Sequence, residues 1–400
     1  MPENILILTS DAGFGHRSAA RAIRAALEAT DRKLNITVAN PIESDDVPDF
    51  IKQREADYDE VVRNMPELYR ASFQASNIPA ASSMLEAIYI VTLYDIMRRT
   101  IEQHKPDLII SVFPTYQAPL AALFFMTRIR IPLMTVVTDL ATVQRLWFHS
   151  ASDVCVVPTD RVRRRALKAG LAPDKVLEIG IPVDPKLGQS IDQRAVREEL
   201  GWEQDLMTLL VVGSDRVLNL PRMLRPLNFS KLPIQLALVA GGSDELHLLF
   251  KAQTWHPPAH IYNFVDNMPE MMHAADCVVS KAGGLIVTES LACGRPLLLV
   301  DVIEGQETGN VNYVLDHGAG HHITDPIDML ETVFHWTQED KLPPVARNAR
   351  QAGRPRAAHR IAEEAVALMD RGPSRTPAPA PLDETTLPKL LKRFGIRPNA

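Results

Sequence analysis

The chain is poor in cysteine, with three residues in 400: Cys155 and Cys277 inside apolar runs, and Cys293 in a helical pattern. That scarcity gives neither a disulfide framework nor a cysteine-built zinc site, and it fits a reducing cytoplasm. Long uncharged apolar runs are missing as well, since no stretch reaches the ~18 residues that a membrane-spanning helix needs. The opening "MPENILILTSDAG" lacks the positive start, the longer apolar segment and the small-residue cleavage site of a secretory signal. A soluble or peripherally attached protein is expected. There is no excess of basic charge either: a formal net charge of −6 argues against a pervasive basic surface, so no nucleic-acid partner is expected.

What is present is globular. Hydrophobic residues make up 46% of the chain and charged residues 23%, enough to bury a core. Short apolar runs alternate with helical patterns: "NILILTS", "NITVANPI", "DLIISVFP", "PLMTVVTD", "DVCVVPT" and "KVLEIGIPV", then "MTLLVVGS", "IQLALVAGG", "HIYNFVD", "DCVVSKAGG", "PLLLVDV" and "GAGHHIT". Runs without strict alternation are strands buried on both faces and covered by helices. Two doubly wound, parallel-sheet α/β domains follow, with the boundary expected near "GIPVDPKLGQSID". We place the first domain at residues 1–188 and the second at 189–350, with a helix at 351–371 returning to the first. Residues 372–400 read as a Pro-rich tail with a short basic amphipathic end, "LPKLLKRFGI".

Three clusters carry candidate chemistry. In "SDAGFGHRSAA", directly after the first strand, Gly13 and Gly15 permit a tight turn and close backbone approach at a helix N-terminus. Ser18 stands where a dinucleotide fingerprint has its third glycine, and no acidic residue ends the second strand, which weakens a nicotinamide reading. His16 supplies an imidazole, a group whose unperturbed pKa near 6.5 lets it take a proton at neutral pH; the alternative is a histidine that only caps the helix. In "KAGGLIVTESLACGRP", Gly283 and Gly284 bare a helix N-terminus at Leu285 for a diphosphate, and Glu289 is placed for ribose hydroxyls. In "EGQETGNVNYVLDHGAG", the side chains Gln306, Glu307 and Asn310 offer the mixed donors and acceptors a polyhydroxylated ligand requires.

Taken together with "TDLATVQRLWFH", "GIPVDPKL" and "NFVDNMPEMMHAADCVVSKAGG", these segments resemble the lipid-directed GT-B glycosyltransferases, the monogalactosyldiacylglycerol synthases and processive diacylglycerol glucosyltransferases. The resemblance implies two Rossmann-like domains facing across a cleft and an inverting transfer of a hexose from a UDP-sugar to the free hydroxyl of diacylglycerol. It makes His16 the base; the position of Asp139 at the end of "MTVVTD" puts that residue forward as the one orienting the imidazole. Donor contacts fall to Gly15, Gly213, Ser214, Phe264, Val265, Gly283, Gly284, Leu285, Glu289, Gln306, Glu307 and Asn310. Acceptor and membrane contacts fall to Phe14, Tyr58, Tyr69, Trp147 and His149. No metal or cofactor is implied. The partners are UDP-galactose or UDP-glucose, diacylglycerol and an anionic membrane at its inner face, and the motif details lean toward galactose. Two other readings share this frame: a UDP-sugar 2-epimerase, and a catalytically silent nucleotide-sugar-binding membrane adaptor.

Overall fold

The computed structural model describes residues 2–11, 14–44, 47, 78–215, 217 and 219–373, with backbone alone at residues 14, 79 and 80. Tyr58, Tyr69 and the tail beyond residue 373 lie outside the described residues. The chain forms two compact units: one runs to Pro182 and resumes at Arg356, and the other is Val183–Pro355.

The first unit is built on six parallel strands: β1 (Glu3–Leu8), β2 (Leu34–Ala39), β3 (Leu108–Ser111), β4 (Leu133–Val136), β5 (Val154–Val157) and β6 (Val176–Glu178), in spatial order β2-β1-β3-β4-β5-β6. Period-two geometry divides β1 between two cores. Ile5 and Ile7 point to one face, where they meet Ala20, Ile23 and Leu27 of α1 (Phe14–Glu28) and the C-terminal residues Ile361, Ala362, Ala365 and Leu368. Leu6 and Leu8 point to the other, against Ile90, Leu93 and Met97 of α2 (Pro79–His104) and Leu120 of α3 (Gln117–Thr127). The buried positions of α1 recur at three- and four-residue spacing, which makes its inward face continuous.

The second unit repeats the scheme. Its strands β7 (Met207–Val212), β8 (Ile234–Val239), β9 (Ala259–Tyr262), β10 (Cys277–Lys281), β11 (Leu297–Asp301) and β12 (Gly320–His322) lie in the order β12-β11-β10-β7-β8-β9, all parallel. Helices α4 (Gly284–Ala292) and α5 (Thr308–Asp316) follow β10 and β11, so their N-termini stand at the carboxyl edge of the sheet. The final helix, α6 (Ala357–Arg371), belongs to the first unit, where it packs on α1. Arg32 ties that pair at its edge, bonding Asp370 at 2.8 Å and Glu3 at 2.6 Å. The division at Pro182/Val183 and Pro355/Arg356 thus differs by a few residues from the expected boundaries after 188 and 350. Among the described residues, no helix is long and apolar enough to cross a membrane.

Candidate active site

Strand order decides which loops meet. Because β1, β3 and β4 are adjacent, the residues following each of them converge at one edge: His16 in the first turn of α1, Val112 and Phe113 after β3, and Thr138 after β4. The His16 Nδ1 lies 2.8 Å from the Val112 carbonyl oxygen and 2.9 Å from the Thr138 hydroxyl. A carbonyl only accepts, so Nδ1 carries the proton and the Nε2 lone pair is left for an incoming group. Phe113 meets the imidazole edge-on at 4.9 Å between ring centres, and Trp147 flanks it at 6.1 Å. Desolvation in this aromatic setting pushes the His16 pKa down to about 4, against the opposing effect of the Val112 bond. The ring is therefore neutral at pH 7, the state a proton acceptor needs.

Asp139 does not touch the imidazole. Its carboxylate accepts the indole N–H of Trp147 at 2.8 Å, and burial raises its pKa to about 6. The direct partners of His16 are instead the Val112 carbonyl and Thr138, which corrects the expectation that Asp139 orients the ring. Trp147 and His149, expected as acceptor or membrane contacts, are both buried. Trp147 is fully buried, in a core with Val137, Val143, Phe148 and Val162. His149 is buried too; its Nδ1 accepts the Ala151 N–H at 3.1 Å, and desolvation lowers its pKa to about 4. Phe14 opens α1 and Gly15 occupies its first turn.

In the second unit, α4 begins at Gly284, one residue before the expected Leu285, and its cap Gly283 makes no side-chain cap bond. Its first N–H groups consequently have no intrahelical partner and face any anion at the sheet edge. Glu289, in the second turn, has its pKa raised to about 8 by burial, with Asp184 adding to the shift. Glu307 and Asn310 cluster at the same edge. Asn310 donates to the Ala282 carbonyl at 2.9 Å, and Glu307 is buried in an ion pair with Lys281 while its other oxygen accepts the Ile303 N–H at 3.0 Å. Gln306 and Leu285 are partly exposed beside them. Lys281 opens "KAGGLIVTESLACGRP", yet nothing in that motif marks it as the partner of Glu307, 26 positions away.

Gly213 has a different reason for being glycine. A Cβ there would stand 2.2 Å from Leu246 Cδ2, so packing by itself keeps this position small. Ser214 follows it, partly exposed. Phe264, 67% exposed, and the partly buried Val265 form the loop after β9. Among the described residues, no three His, Cys, Asp or Glu side chains gather closely enough to hold a metal ion.

Comparison with known proteins resolves the family. The model for monogalactosyldiacylglycerol (MGDG) synthase matches residues 16–183, and the glycosyltransferase family 28 C-terminal domain matches residues 208–361. The chloroplastic monogalactosyldiacylglycerol synthase of Spinacia oleracea is 31% identical over 379 residues, spanning 91% of this chain and 72% of that protein. The chain belongs to the MGDG synthase family. Monogalactosyldiacylglycerol synthase 2 of Arabidopsis thaliana agrees, at 30% identity over 389 residues covering 93% of this chain and 82% of that one. Among solved structures, S. aureus MnaA with UDP gives a TM-score of 0.62 at 13% identity, over 92% of this chain and 97% of that one. Acinetobacter baumannii MurG gives 0.60 at 14%, over 92% and 100%. At such identities the likeness is one of fold, and the fold of this MGDG synthase family member is GT-B, with two Rossmann-like domains.

Proposed function

We propose that the protein transfers galactose from UDP-galactose to the free hydroxyl of diacylglycerol with inversion at the anomeric carbon. The observation that carries this reading is the His16 tautomer: a protonated Nδ1 held on Val112 and an open Nε2, in a chain whose relatives are named monogalactosyldiacylglycerol synthases. Nε2 accepts the acceptor's hydroxyl proton as its oxygen forms a bond to the anomeric carbon. The bond from that carbon to the UDP oxygen breaks, and its electrons leave with the diphosphate.

The second domain holds the donor. The open N–H groups at Gly284 and Leu285 meet the diphosphate, and their dipole offsets the charge that grows on the leaving group. Glu289 takes the ribose hydroxyls, the backbone at Phe264 and Val265 reads the uracil, and Gln306 and Glu307 reach the hexose, with Asn310 bracing Ala282 behind them. With preorganised dipoles in this role, no divalent metal is required. The acceptor is met at the inner face of an anionic membrane, to which the protein attaches peripherally.

A donor panel with diacylglycerol in mixed micelles tests this, reading product sugar and anomeric configuration with and without EDTA. A β-galactolipid formed equally in EDTA is the expected product. A glucolipid, a retained anomeric configuration or an absolute need for metal would each overturn the corresponding part, and lipid-free turnover of UDP-N-acetylglucosamine would favour an epimerase.

A further inference from the structure

Gly283 is a glycine without a local reason. Its φ of −65° and ψ of 140° suit any L-residue. A Cβ there would lie 3.4 Å from Lys281 Nζ, 3.6 Å from Lys281 Cε and 3.7 Å from Glu307 Oε1, distances of ordinary contact. Gly213 differs, since its Cβ would collide at 2.2 Å, and so does Gly320, whose Cβ would stand 2.1 Å from the Leu297 carbonyl oxygen. Neither backbone conformation nor packing therefore demands glycine at 283. What its missing side chain does is leave one side of the Lys281–Glu307 pair uncovered.

The pair itself is built with care for direction. The ladder between β10 and β11 shifts register between Ser280 and Lys281, so that Lys281 pairs with Asp301, and this bulge turns the lysine at the very end of its strand. The Lys281 and Glu307 side chains are 17% and 6% exposed. Glu307 cannot rotate freely, because Lys281 holds one oxygen and the Ile303 N–H holds the other. Lys281 donates to no other acceptor among the described residues, so two of its three N–H groups are available.

We infer that Gly283 is an opening through which a hydroxyl of the donor hexose reaches the Lys281–Glu307 pair, and that Lys281 is the residue positioning the Glu307 carboxylate for it. The inference rests on the donor reading above. A hydroxyl fits this pair because it can donate to the carboxylate and accept from the ammonium at once. A phosphate oxygen only accepts, and the Glu307 carboxylate, with Asp301 beside it, repels the anion. The pair thus reads the sugar, while the helix N-terminus next to it meets the diphosphate.

The test is the ratio of UDP-galactose to UDP affinity, measured by calorimetry on the full chain for the wild type, Gly283→Ala and Lys281→Met. The ratio is expected to fall about tenfold in both variants, the worth of one charge-assisted hydrogen bond, over and above any change in the affinity for UDP itself. Equal losses for UDP and UDP-galactose would overturn the inference and assign the pair to the diphosphate or to the fold; so would an unchanged ratio. If Lys281→Met fails to fold with Glu307 left unpaired, Gly283→Ala decides alone, since its new methyl group is accommodated. Wild-type protein that binds neither ligand would defeat the donor reading itself, whereas wild type that binds and transfers beside an unchanged Gly283→Ala ratio defeats only this inference.

Discussion

The Nδ1 of His16 stands 2.8 Å from the Val112 carbonyl oxygen, and this one contact determines which nitrogen of the ring can take a proton. The carbonyl belongs to the loop after β3 and cannot rotate away as a side chain would. A second oxygen, that of Thr138, lies 2.9 Å from the same nitrogen. Loss of Nε2 as acceptor in His16→Ala is expected to lower kcat by ~10²–10⁴ with the KM for donor little changed, the usual worth of a positioned base. Because desolvation holds the ring's pKa at about 4, the acidic limb of the wild-type rate profile that belongs to His16 falls well below 6.5. Rates measured between pH 4 and 7 check this. A His16 limb centred near 6.5 would show that the ring is hydrated in the working enzyme.

Trp147 holds the Asp139 carboxylate through its indole N–H at 2.8 Å while lying fully buried beside His16. Trp147→Phe keeps most of the apolar volume but leaves that carboxylate without its donor. A loss of ~1–3 kcal/mol in stability follows, the cost of a buried acceptor left unsatisfied. Urea unfolding measures it. A variant as stable as wild type would mean that Asp139 finds water in place of the indole.

Gly213→Ala separates a packing glycine from a ligand-facing one. The added methyl meets Leu246 at 2.2 Å and Leu220 at 3.0 Å, so the variant should lose ~1–3 kcal/mol through overpacking, with UDP affinity retained in the folded fraction. Thermal unfolding and UDP titration read the two effects separately. Unchanged stability with lost UDP binding would return Gly213 to the phosphate loop.

These contrasts show what was legible in the chain and what was not. Runs such as "PLMTVVTD" and "DCVVSKAGG" announce strands buried on both faces, because hydrophobic patterning is a local record of burial, and both sheets could be drawn from it. A glycine carries no such record. Gly213 and Gly283 each follow a strand and look alike in one dimension, yet one is hemmed in by Leu246 and the other opens on an ion pair, a difference that depends on Leu246 and Glu307, both more than twenty positions away. The Lys281–Glu307 pair spans 26 positions and has no periodicity to reveal it. The burial of Trp147 is hidden for a related reason. In a loop with no regular period nothing local says whether an aromatic faces in or out, and only the docking of "TDLATVQRLWFH" against β5 buries it. Asp139 lies in the loop after β4, but the neighbouring Thr138 is the one whose hydroxyl reaches the ring.

Glu289 gives the clearest dependence on pH. Burial, with Asp184 adding to it, raises its pKa from 4.5 to about 8 in the folded protein. The unfolded chain ionises this group near 4.5, so between 4.5 and about 8 folding takes up a proton, and the contribution of Glu289 to stability declines as pH rises through that window. Glu289→Gln removes the titration, and its stability is expected to vary less steeply than wild type between pH 5 and 8 in matched urea unfolding. UDP adds a second, independent reading. To accept both ribose hydroxyls the side chain must be ionised, so UDP binding near pH 7 should release a proton from Glu289. In calorimetry this appears as a binding enthalpy that depends on the ionisation enthalpy of the buffer, together with an affinity that climbs from pH 6.5 to 8.5. Glu289→Gln should bind UDP more weakly and show neither effect. If wild type binds UDP without releasing a proton, Glu289 does not meet the ribose as a carboxylate, and that role for it is overturned.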